Sequence, residues 1–381
     1  MKRLCFLLAL VLFLVPISVD AQICVNNLAV NGPRGVAVDG AGNKYIADTN
    51  NNRIIKIDSS GAPSIFAGDS AGSLGFVNGV GTAARFDHPH KIMANPAGTF
   101  LYVADTNNNA IRKIDISSGV VTTVSGQGPT NAGNIDGILG AARFDHPKGL
   151  YVTSLGEILV ADTGNNVIRR IGETIPPPNQ VTTIIGTGSP GTVNCPSIIT
   201  CPATNPVSCL SLALNAPQDL VVHTTTLTSG SIAYYYDMYI ADTGTHSIRG
   251  ARFEISTGSS MNGAACTGTL IAGNGVAGYA VGSSTQLVQF SAPTSVDALH
   301  YVPGGLPTTF VYTGIPYLLI ADSGNNVVRF LTEDSNGYRF TTIYAGSQLA
   351  SGSIDGATSN PITGIPASTA RFSTPTDLAI R

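Results

Sequence analysis

Tryptophan is absent from the sequence, and only 11% of its 381 residues are charged. Lysine and arginine together number 20 against 23 acidic residues, which gives a net charge of -3. Domains that bind nucleic acid usually carry a basic excess, and those that bind single strands stack bases on aromatic side chains. The composition therefore argues against nucleic acid as a partner.

Long apolar runs are also missing, except at the amino terminus. Lys2 and Arg3 precede an apolar stretch that ends near Val19, and Ala21 supplies the small residue that signal peptidase favours. We predict a signal peptide over residues 1–21. An uncleaved anchor is the alternative, although the stretch is shorter than the roughly 20 residues that a spanning helix needs. The sequence thus predicts a secreted, extracellular protein with no membrane span after signal cleavage.

Cysteine is scarce and clustered. Without the signal peptide five cysteines remain, an odd number, and three of them lie in a Pro-rich insert over residues 190–212. In an oxidising compartment we expect a disulfide inside this insert or from the insert to Cys266. A zinc site is the alternative, although the insert has neither histidine nor the C-x-x-C pairs of zinc ribbons. The disulfide candidates are Cys195, Cys201, Cys209 and Cys266.

What the sequence does contain is a repeated segment. Helix-period patterns are scarce, whereas 43 glycines and 22 prolines separate short apolar strands. One segment, an apolar pair followed by Ala-Asp-Thr or Ala-Asp-Ser and an Asn-rich or Gly-rich turn, occurs five times with spacings of 57, 57, 80 and 80 residues. A repeat of this length is typical of propeller blades. Its aspartates are Asp48, Asp105, Asp162, Asp242 and Asp322, and an arginine recurs downstream of four of them at Arg112, Arg169, Arg249 and Arg329.

Each copy also has an upstream proline followed by a short apolar strand. With the Ala-Asp-Thr strand, the Ile-Arg-Lys strand and a Thr-rich run, the unit contains four strands. Such sheets bury both faces when they stack radially, so we predict an all-β propeller over residues 32–381, rather than a sandwich or an open solenoid. We interpret the aspartates and arginines as structural ion pairs of the blades, a set that Ile55 breaks in the first blade.

These repeats resemble the NHL-repeat family, whose hallmark is Pro-x-Gly-Ile-Ala-Val-Asp, then Gly-Asn-x-Tyr-Val-Ala-Asp-Thr-Gly-Asn-Asn-Arg-Ile-Arg-Lys. Residues 33–57 match this run almost throughout, and the resemblance covers nearly everything after the signal peptide. It implies six blades, and binding surfaces rather than one shared reaction.

The end of the chain departs from that pattern. A sixth proline, Pro375, begins a first strand, and the sequence then ends at Arg381. We therefore expect five complete four-stranded blades plus the first strand of a sixth, from a six-bladed parent. Residues 22–31 are expected to act as an N-terminal closing strand or linker. An uncovered inner strand would expose unpaired backbone groups.

The residue directly after each proline varies and forms a predicted channel-mouth ring. Three neighbouring blades carry basic or titratable groups and three carry neutral ones, which favours an anionic ligand or an acidic partner surface. We hypothesise that the ring binds an extracellular protein or glycan, without catalysis. Its members are Arg34, His90, Lys148, Gln218, Thr294 and Thr376.

A metal-dependent lyase or hydrolase with its site at the channel mouth is the alternative function. A lyase related to the NHL family holds zinc through histidines that follow such prolines, and only His90 matches here. His88 and His146 recur before two of the prolines, which favours loop packing. Calcium at the Asp-Thr-Asn-Asn turns is a further alternative, but Asp and Asn favour such turns by bonding their own backbone. We therefore expect no cofactor and no catalytic residue.

Overall fold

The computed structural model describes residues 10–11, 28–172, 179–191, 207–227, 233–256, 266–281, 288–299, 317–333, 339–346 and 375–380. The described chain is all-β, with five antiparallel sheets that form the blades of a propeller. Each blade contains four strands in sequence order, from the inner edge outwards. In the described part of the chain no helix is long and apolar enough to cross a membrane.

The strands have the following bounds. Blade one contains β2 (Gly35–Val38), β3 (Lys44–Asp48), β4 (Arg53–Ile57) and β5 (Pro63–Ala67); blade two contains β7 (Pro89–Ala94), β8 (Phe100–Asp105), β9 (Ala110–Asp115) and β10 (Val120–Ser125), with β6 (Gly79–Val80) at its outer edge. Blade three contains β12 (Pro147–Val152), β13 (Ile158–Asp162), β14 (Val167–Gly172) and β15 (Gln180–Ile185), with β11 (Gly137–Ile138) outside it. Blade four contains β17 (Pro217–Leu227), β18 (Ala233–Asp242), β19 (Ser247–Ser256) and β20 (Cys266–Ala272), with β16 (Val207–Ser208) outside it; blade five contains β21 (Pro293–Leu299), β22 (Tyr317–Asp322), β23 (Val327–Glu333) and β24 (Arg339–Gly346). Two further strands, β1 (Leu10–Val11) and β25 (Ala379–Ile380), pair in parallel.

Every repeated Ala-Asp-Thr segment behaves in the same way. Its second-strand aspartate ends the strand, and a single 3₁₀ turn follows, which ends at a residue with left-handed backbone, for example Asn52 at a φ of 52° and Asn109 at 49°. Asparagine tolerates this conformation better than most residues do, which explains its abundance here. The five turns are Thr49–Asn51, Thr106–Asn108, Thr163–Asn165, Thr243–Thr245 and Ser323–Asn325, and two further 3₁₀ turns cover Gly81–Ala83 and Cys209–Ser211.

The hydrophobic core lies between adjacent blades. Alternate side chains of each sheet point to opposite faces, so each blade contributes to two clusters. Tyr45 of blade one, for instance, packs with Leu101 and Val103 of blade two, whereas Tyr102 packs with Leu150 and the rest of the blade-three cluster. Stacking therefore buries faces that one sheet alone would leave exposed, as the repeat length predicts.

The described part of the predicted N-terminal linker packs on blade one. Leu28 and Val30 lie against a cluster that contains Ile46, Ile55 and Ile57, so they cover the second and third strands of that blade. Residues 22–27 of this linker lie outside the described residues.

Candidate functional site at the channel mouth

The prolines that begin the inner strands are linked from blade to blade. In each of the first four blades the threonine of the Ala-Asp-Thr turn donates its hydroxyl to the carbonyl of the next blade's proline, at 2.7 to 2.8 Å. Ser323 of blade five donates to Pro375, and the Thr376 hydroxyl lies 3.4 Å from the carbonyl of Pro33 in blade one. The circuit of hydrogen bonds around the axis therefore passes through residues 375–376. The donors in blades one to four are Thr49, Thr106, Thr163 and Thr243, and their acceptors are Pro89, Pro147, Pro217 and Pro293.

We call the residues two positions after the prolines the deep ring: Gly35, Lys91, Gly149, Asp219, Ser295 and Asp377. At its centre the Lys91 ammonium lies 3.0 Å from Asp219 Oδ2 and 2.5 Å from Asp377 Oδ1. The Ser295 hydroxyl donates to Asp219 Oδ2 at 2.6 Å, and the backbone N–H of Val36 donates to Asp377 Oδ2 at 3.0 Å. The deep ring is therefore an ion-pair cluster in which one ammonium links two carboxylates across the channel.

The electrostatics of the deep ring follow from burial and pairing. Burial alone would lower the pKa of Lys91, but the Asp219 and Asp377 carboxylates reverse the effect and raise it. Burial raises the pKa of Asp377 to about 6, against the opposing effect of Lys91. Lys91 therefore stays charged over the physiological range.

Glycine makes room for this cluster. A Cβ on Gly149 would lie 2.6 Å from the Asp219 Cα, and a Cβ on Gly35 would lie 2.2 Å from the backbone oxygen of His90. Both distances are shorter than van der Waals contact, so a side chain at either position would push neighbouring inner strands apart.

The channel-mouth ring lies one residue closer to the loops and divides into two halves. In the neutral half, the Thr294 hydroxyl is bonded to Ser323 and lies 3.2 Å from the Pro375 carbonyl, and that of Thr376 faces Pro33. These two hydroxyls link blades. Gln218 is half-buried beside them.

The basic half contains Arg34, His90 and Lys148, from blades one, two and three. Among the described residues neither Arg34 nor Lys148 forms a side-chain hydrogen bond or an ion pair, and His90 Nε2 is buried without a hydrogen-bond partner. Burial, and then the charges of Arg34, Lys148 and Lys91, hold the pKa of His90 well below 6.5. Burial and the Arg34 charge likewise lower the pKa of Lys148. The three groups are therefore close enough to repel one another.

The repeat aspartates are fully engaged inside the blades. Asp105, for example, accepts hydrogen bonds from the Asp87 backbone N–H, the Asn108 amide and the Arg112 guanidinium, all at 2.8 Å. Burial raises its pKa to about 6, against the lowering effect of Arg112. The equivalent pairs are Arg169–Asp162 at 3.0 Å, Arg249–Asp242 at 3.5 Å and Arg329–Asp322 at 2.6 Å.

Blade one contains the same ion pair with an arginine from another position. Ile55 lies opposite Ile46, where the other blades have the repeat arginine, but Arg53 binds Asp48 at 2.8 Å. Sequence reasoning missed Arg53. The signal was present, since Arg53 is the first residue after the turn and lies directly opposite Asp48 in the hairpin.

Donors, rather than open space, surround the oxygens of the Asn-rich turns. Asp48 accepts from the Asn31 backbone N–H, the Asn51 amide and the Arg53 guanidinium, which would have to leave before a calcium ion could bind. No group of three or more His, Cys, Asp or Glu side chains suited to a metal ion occurs among the described residues.

His88 and His146 are not brought together. Each imidazole Nδ1 lies beside the carboxylate of the preceding aspartate, at 2.7 Å for His88 and 2.5 Å for His146. Their backbone N–H groups donate to Asn52 and Asn109 of the preceding blade, both at 2.9 Å. The two histidines therefore occupy equivalent junctions between blades.

The predicted disulfide from the insert to Cys266 is confirmed. Cys209, at the end of the insert, bonds to Cys266 at the start of β20, with 5.5 Å between their Cα atoms. Cys195 and Cys201 lie outside the described residues.

Comparison with known proteins supports the repeat assignment. A family model for the NHL repeat matches residues 144–171. The chain is 33% identical over 134 residues to the chloroplastic protein SUPPRESSOR OF QUENCHING 1 of Arabidopsis thaliana, and 36% identical over 98 residues to human NHL repeat-containing protein 2. These matches cover 33% and 26% of this chain but only 12% and 13% of the relatives' length.

A solved structure extends the similarity to the whole fold. An auxiliary nutrient binding protein from Bacteroides thetaiotaomicron superposes with a TM-score of 0.55 at 14% sequence identity. The superposition covers 92% of this chain and 64% of that protein. At this identity the similarity is one of fold.

Proposed function

The chain belongs to the NHL-repeat β-propeller family, and from that premise we propose that it is a secreted, non-enzymatic binding scaffold. Its ligand is an extracellular protein or glycan with acidic character, and it binds through the face that carries the Asn-rich turns. A propeller of this type fits a binding role. The observation that carries the proposal is the basic half of the channel-mouth ring, Arg34, His90 and Lys148, which has no acidic partner among the described residues.

Secretion is supported by two features. The first is the predicted signal peptide over residues 1–21. The second is the bond between Cys209 and Cys266, because structural disulfides persist mainly in oxidising compartments.

We also propose that residues 375–380 hold the inner position of a sixth blade. Pro375 accepts from blade five as the other prolines accept from their preceding blades, and Asp377 bonds to Lys91 and to the backbone of Val36. These contacts occupy a place in the hydrogen-bond circuit that the first five blades do not fill.

The test is a pull-down from extracellular fluid with the mature chain and a double variant, Arg34→Glu and Lys148→Glu. We expect the variant to lose its acidic partners, because two unpaired positive charges become negative. The matched control is Lys44→Glu with Lys56→Glu, the same charge reversal at the opposite end of blade one, which should keep the partners. A protein that the wild-type chain and the control recover, but the Arg34→Glu and Lys148→Glu variant does not, is then purified. Its affinity for both double variants is measured.

Equal recovery with both double variants would remove the basis for this face. Elemental analysis of the same preparations distinguishes the alternative function. Stoichiometric zinc or calcium that His90→Ala abolishes would favour a metal-dependent lyase or hydrolase instead.

A further inference from the structure

Three basic side chains converge on one half of the channel mouth without a counter-charge. Arg34, His90 and Lys148 follow the prolines of three successive blades, whose inner strands β2, β7 and β12 pack side by side. Lys148 is half-buried, and His90 is only 7% exposed. Arg34 is exposed. Bringing like charges together costs free energy unless something compensates, and Lys91, the other lysine of the described inner strands, is paired with two carboxylates.

His90 adds an independent observation. A buried polar atom without a partner costs about 1–3 kcal/mol, and such atoms are rare in folded proteins. His90 Nε2 is such an atom. His90 belongs to blade two, between Arg34 of blade one and Lys148 of blade three, and the inner strands of these three blades pack side by side. A ligand group bound at this part of the mouth would supply the missing partner.

The deep ring sets the limit of that space. Lys91, Asp219 and Asp377 close the channel one residue further in, and the two carboxylates there outnumber the single ammonium. An anion would be attracted at the mouth and repelled further down. The mouth is thus basic on this side, and the deep ring beneath it contains more carboxylates than ammonium groups.

We propose that Arg34, His90 and Lys148 form a binding site for one oxyanion, a carboxylate, sulfate or phosphate group carried by the ligand. This site deepens the proposed function, since it names the chemical group through which the partner is recognised. The planar guanidinium offers paired N–H donors, the ammonium a point charge, and the imidazole Nε2–H a third donor. An oxyanion supplies acceptors for all three.

Binding at this site takes up a proton. The charged groups around the imidazole are Arg34 from the start of blade one, Lys148 from β12, and Lys91 on its own strand. The acids of neighbouring inner strands act on Lys91, namely Asp219, Asp297 and Asp377. An anion between the three cations favours the protonated imidazole, so the affinity rises as the pH falls from 7 to 5.5, by at most about tenfold per pH unit.

The experiment is calorimetric titration of the mature protein with sodium sulfate and with sodium glucuronate, neither of which titrates between pH 5.5 and pH 7. Inorganic phosphate is used at pH 7 only. We expect saturable binding, tighter at pH 5.5, with proton uptake measured by repeating the titration in buffers of different ionisation enthalpy. The three probes separate carboxylate from sulfate and phosphate as the preferred group.

Variants locate the site. Arg34→Gln and Lys148→Gln remove charge while keeping length, and each should weaken binding about tenfold or more, because hydrogen bonds to charged groups contribute roughly 1.5–3 kcal/mol. Lys44→Gln, at the far end of blade one, should leave it unchanged. Lys148→Arg should restore most of the affinity. Unfolding midpoints of all variants show whether a loss reflects folding.

Two outcomes overturn the inference. One is the absence of saturation at probe concentrations about tenfold above a ~1 mM dissociation constant. The other is an equal loss of affinity in Lys44→Gln and Lys148→Gln, which would mean that the anions respond to the overall charge of the protein and not to one site. Failure here leaves the proposed function standing if the pull-down partner still depends on Arg34 and Lys148. If the anions bind but the pull-down partner does not depend on Arg34 and Lys148, the oxyanion site stands and the proposed binding face is rejected.

Discussion

The channel-mouth ring and the deep ring are one residue apart in sequence, yet their charges are arranged in opposite ways. In the deep ring Lys91 binds two carboxylates, and the Ser295 hydroxyl lies within hydrogen-bond distance of both. At the mouth Arg34, His90 and Lys148 face one another without an acid among the described residues. Paired charges hold inner strands together, whereas the unpaired ones are those that we propose to bind the ligand. The same distinction separates the repeat aspartates, which are all bonded, from the mouth.

The largest expected difference between the rings comes from the same substitution made in each. Lys91→Met leaves Asp219 and Asp377 buried without their cation, which should lower the free energy of unfolding by about 3–5 kcal/mol. Lys148→Met removes an unpaired charge and should change it by no more than about 0.5 kcal/mol. Urea unfolding followed by far-ultraviolet circular dichroism measures both. Equal destabilisation would break the comparison, because it would place the two lysines in the same structural role.

Acid should reveal the second difference. The pKa of His90 is depressed in the folded protein, so below pH 6.5 the unfolded chain takes up a proton that the folded chain does not. The contribution of His90 to the free energy of unfolding is therefore fully present above pH 6.5. It is lost as the pH falls, by up to about 2 kcal/mol at pH 5.

We expect the wild-type chain to lose more stability than His90→Gln between pH 7 and pH 5, by no more than that amount. Saturating sulfate should reduce this difference in stability loss between the two proteins, since a bound anion lets the imidazole of the folded chain take up its proton. Parallel pH slopes for the two proteins, with and without sulfate, would contradict the arrangement of charges at the mouth.

The blades could be predicted from the sequence because their signals are local and repeated. The proline, the Ala-Asp-Thr strand and the turn lie within one unit, and five copies of the second-strand segment make chance agreement negligible. The structure adds short edge strands that this reasoning did not include. Gly79–Val80 and Gly137–Ile138, from the linkers between blades, pair with the fourth strands β10 and β15.

The deep ring could not be predicted, because its members are distant in sequence. Lys91 is separated from Asp219 by 128 residues and from Asp377 by 286. A repeat pattern states which position each residue takes in its own blade. It does not state which side chains meet across the axis, since that depends on the number of blades and on the bulge after the proline in blades two to five. For the same reason, two members of the predicted channel-mouth ring, Thr294 and Thr376, could not be recognised in advance as links between blades.

The smallest expected effect concerns a polar side chain on the loop face that links two neighbouring blades. In three blades an asparagine with left-handed backbone accepts a hydrogen bond from the backbone N–H that precedes the next proline, at 2.9 Å. In blade four His246, at a φ of 51°, takes this place, and its Nδ1 accepts from Ala292 at 3.0 Å. An imidazole that accepts at Nδ1 carries its proton on Nε2.

His246→Asn preserves both the acceptor and the tolerated backbone, so its unfolding free energy should stay within about 0.5 kcal/mol of wild type. His246→Ala leaves the Ala292 N–H without its acceptor, which should cost about 1–2 kcal/mol. Urea unfolding of the pair at pH 7 tests the distinction, with oxyanion titration as the second measurement. If His246 belongs to the structural set, neither variant changes anion affinity; a loss of binding in His246→Asn with unchanged stability would move this histidine from the junction to the ligand site.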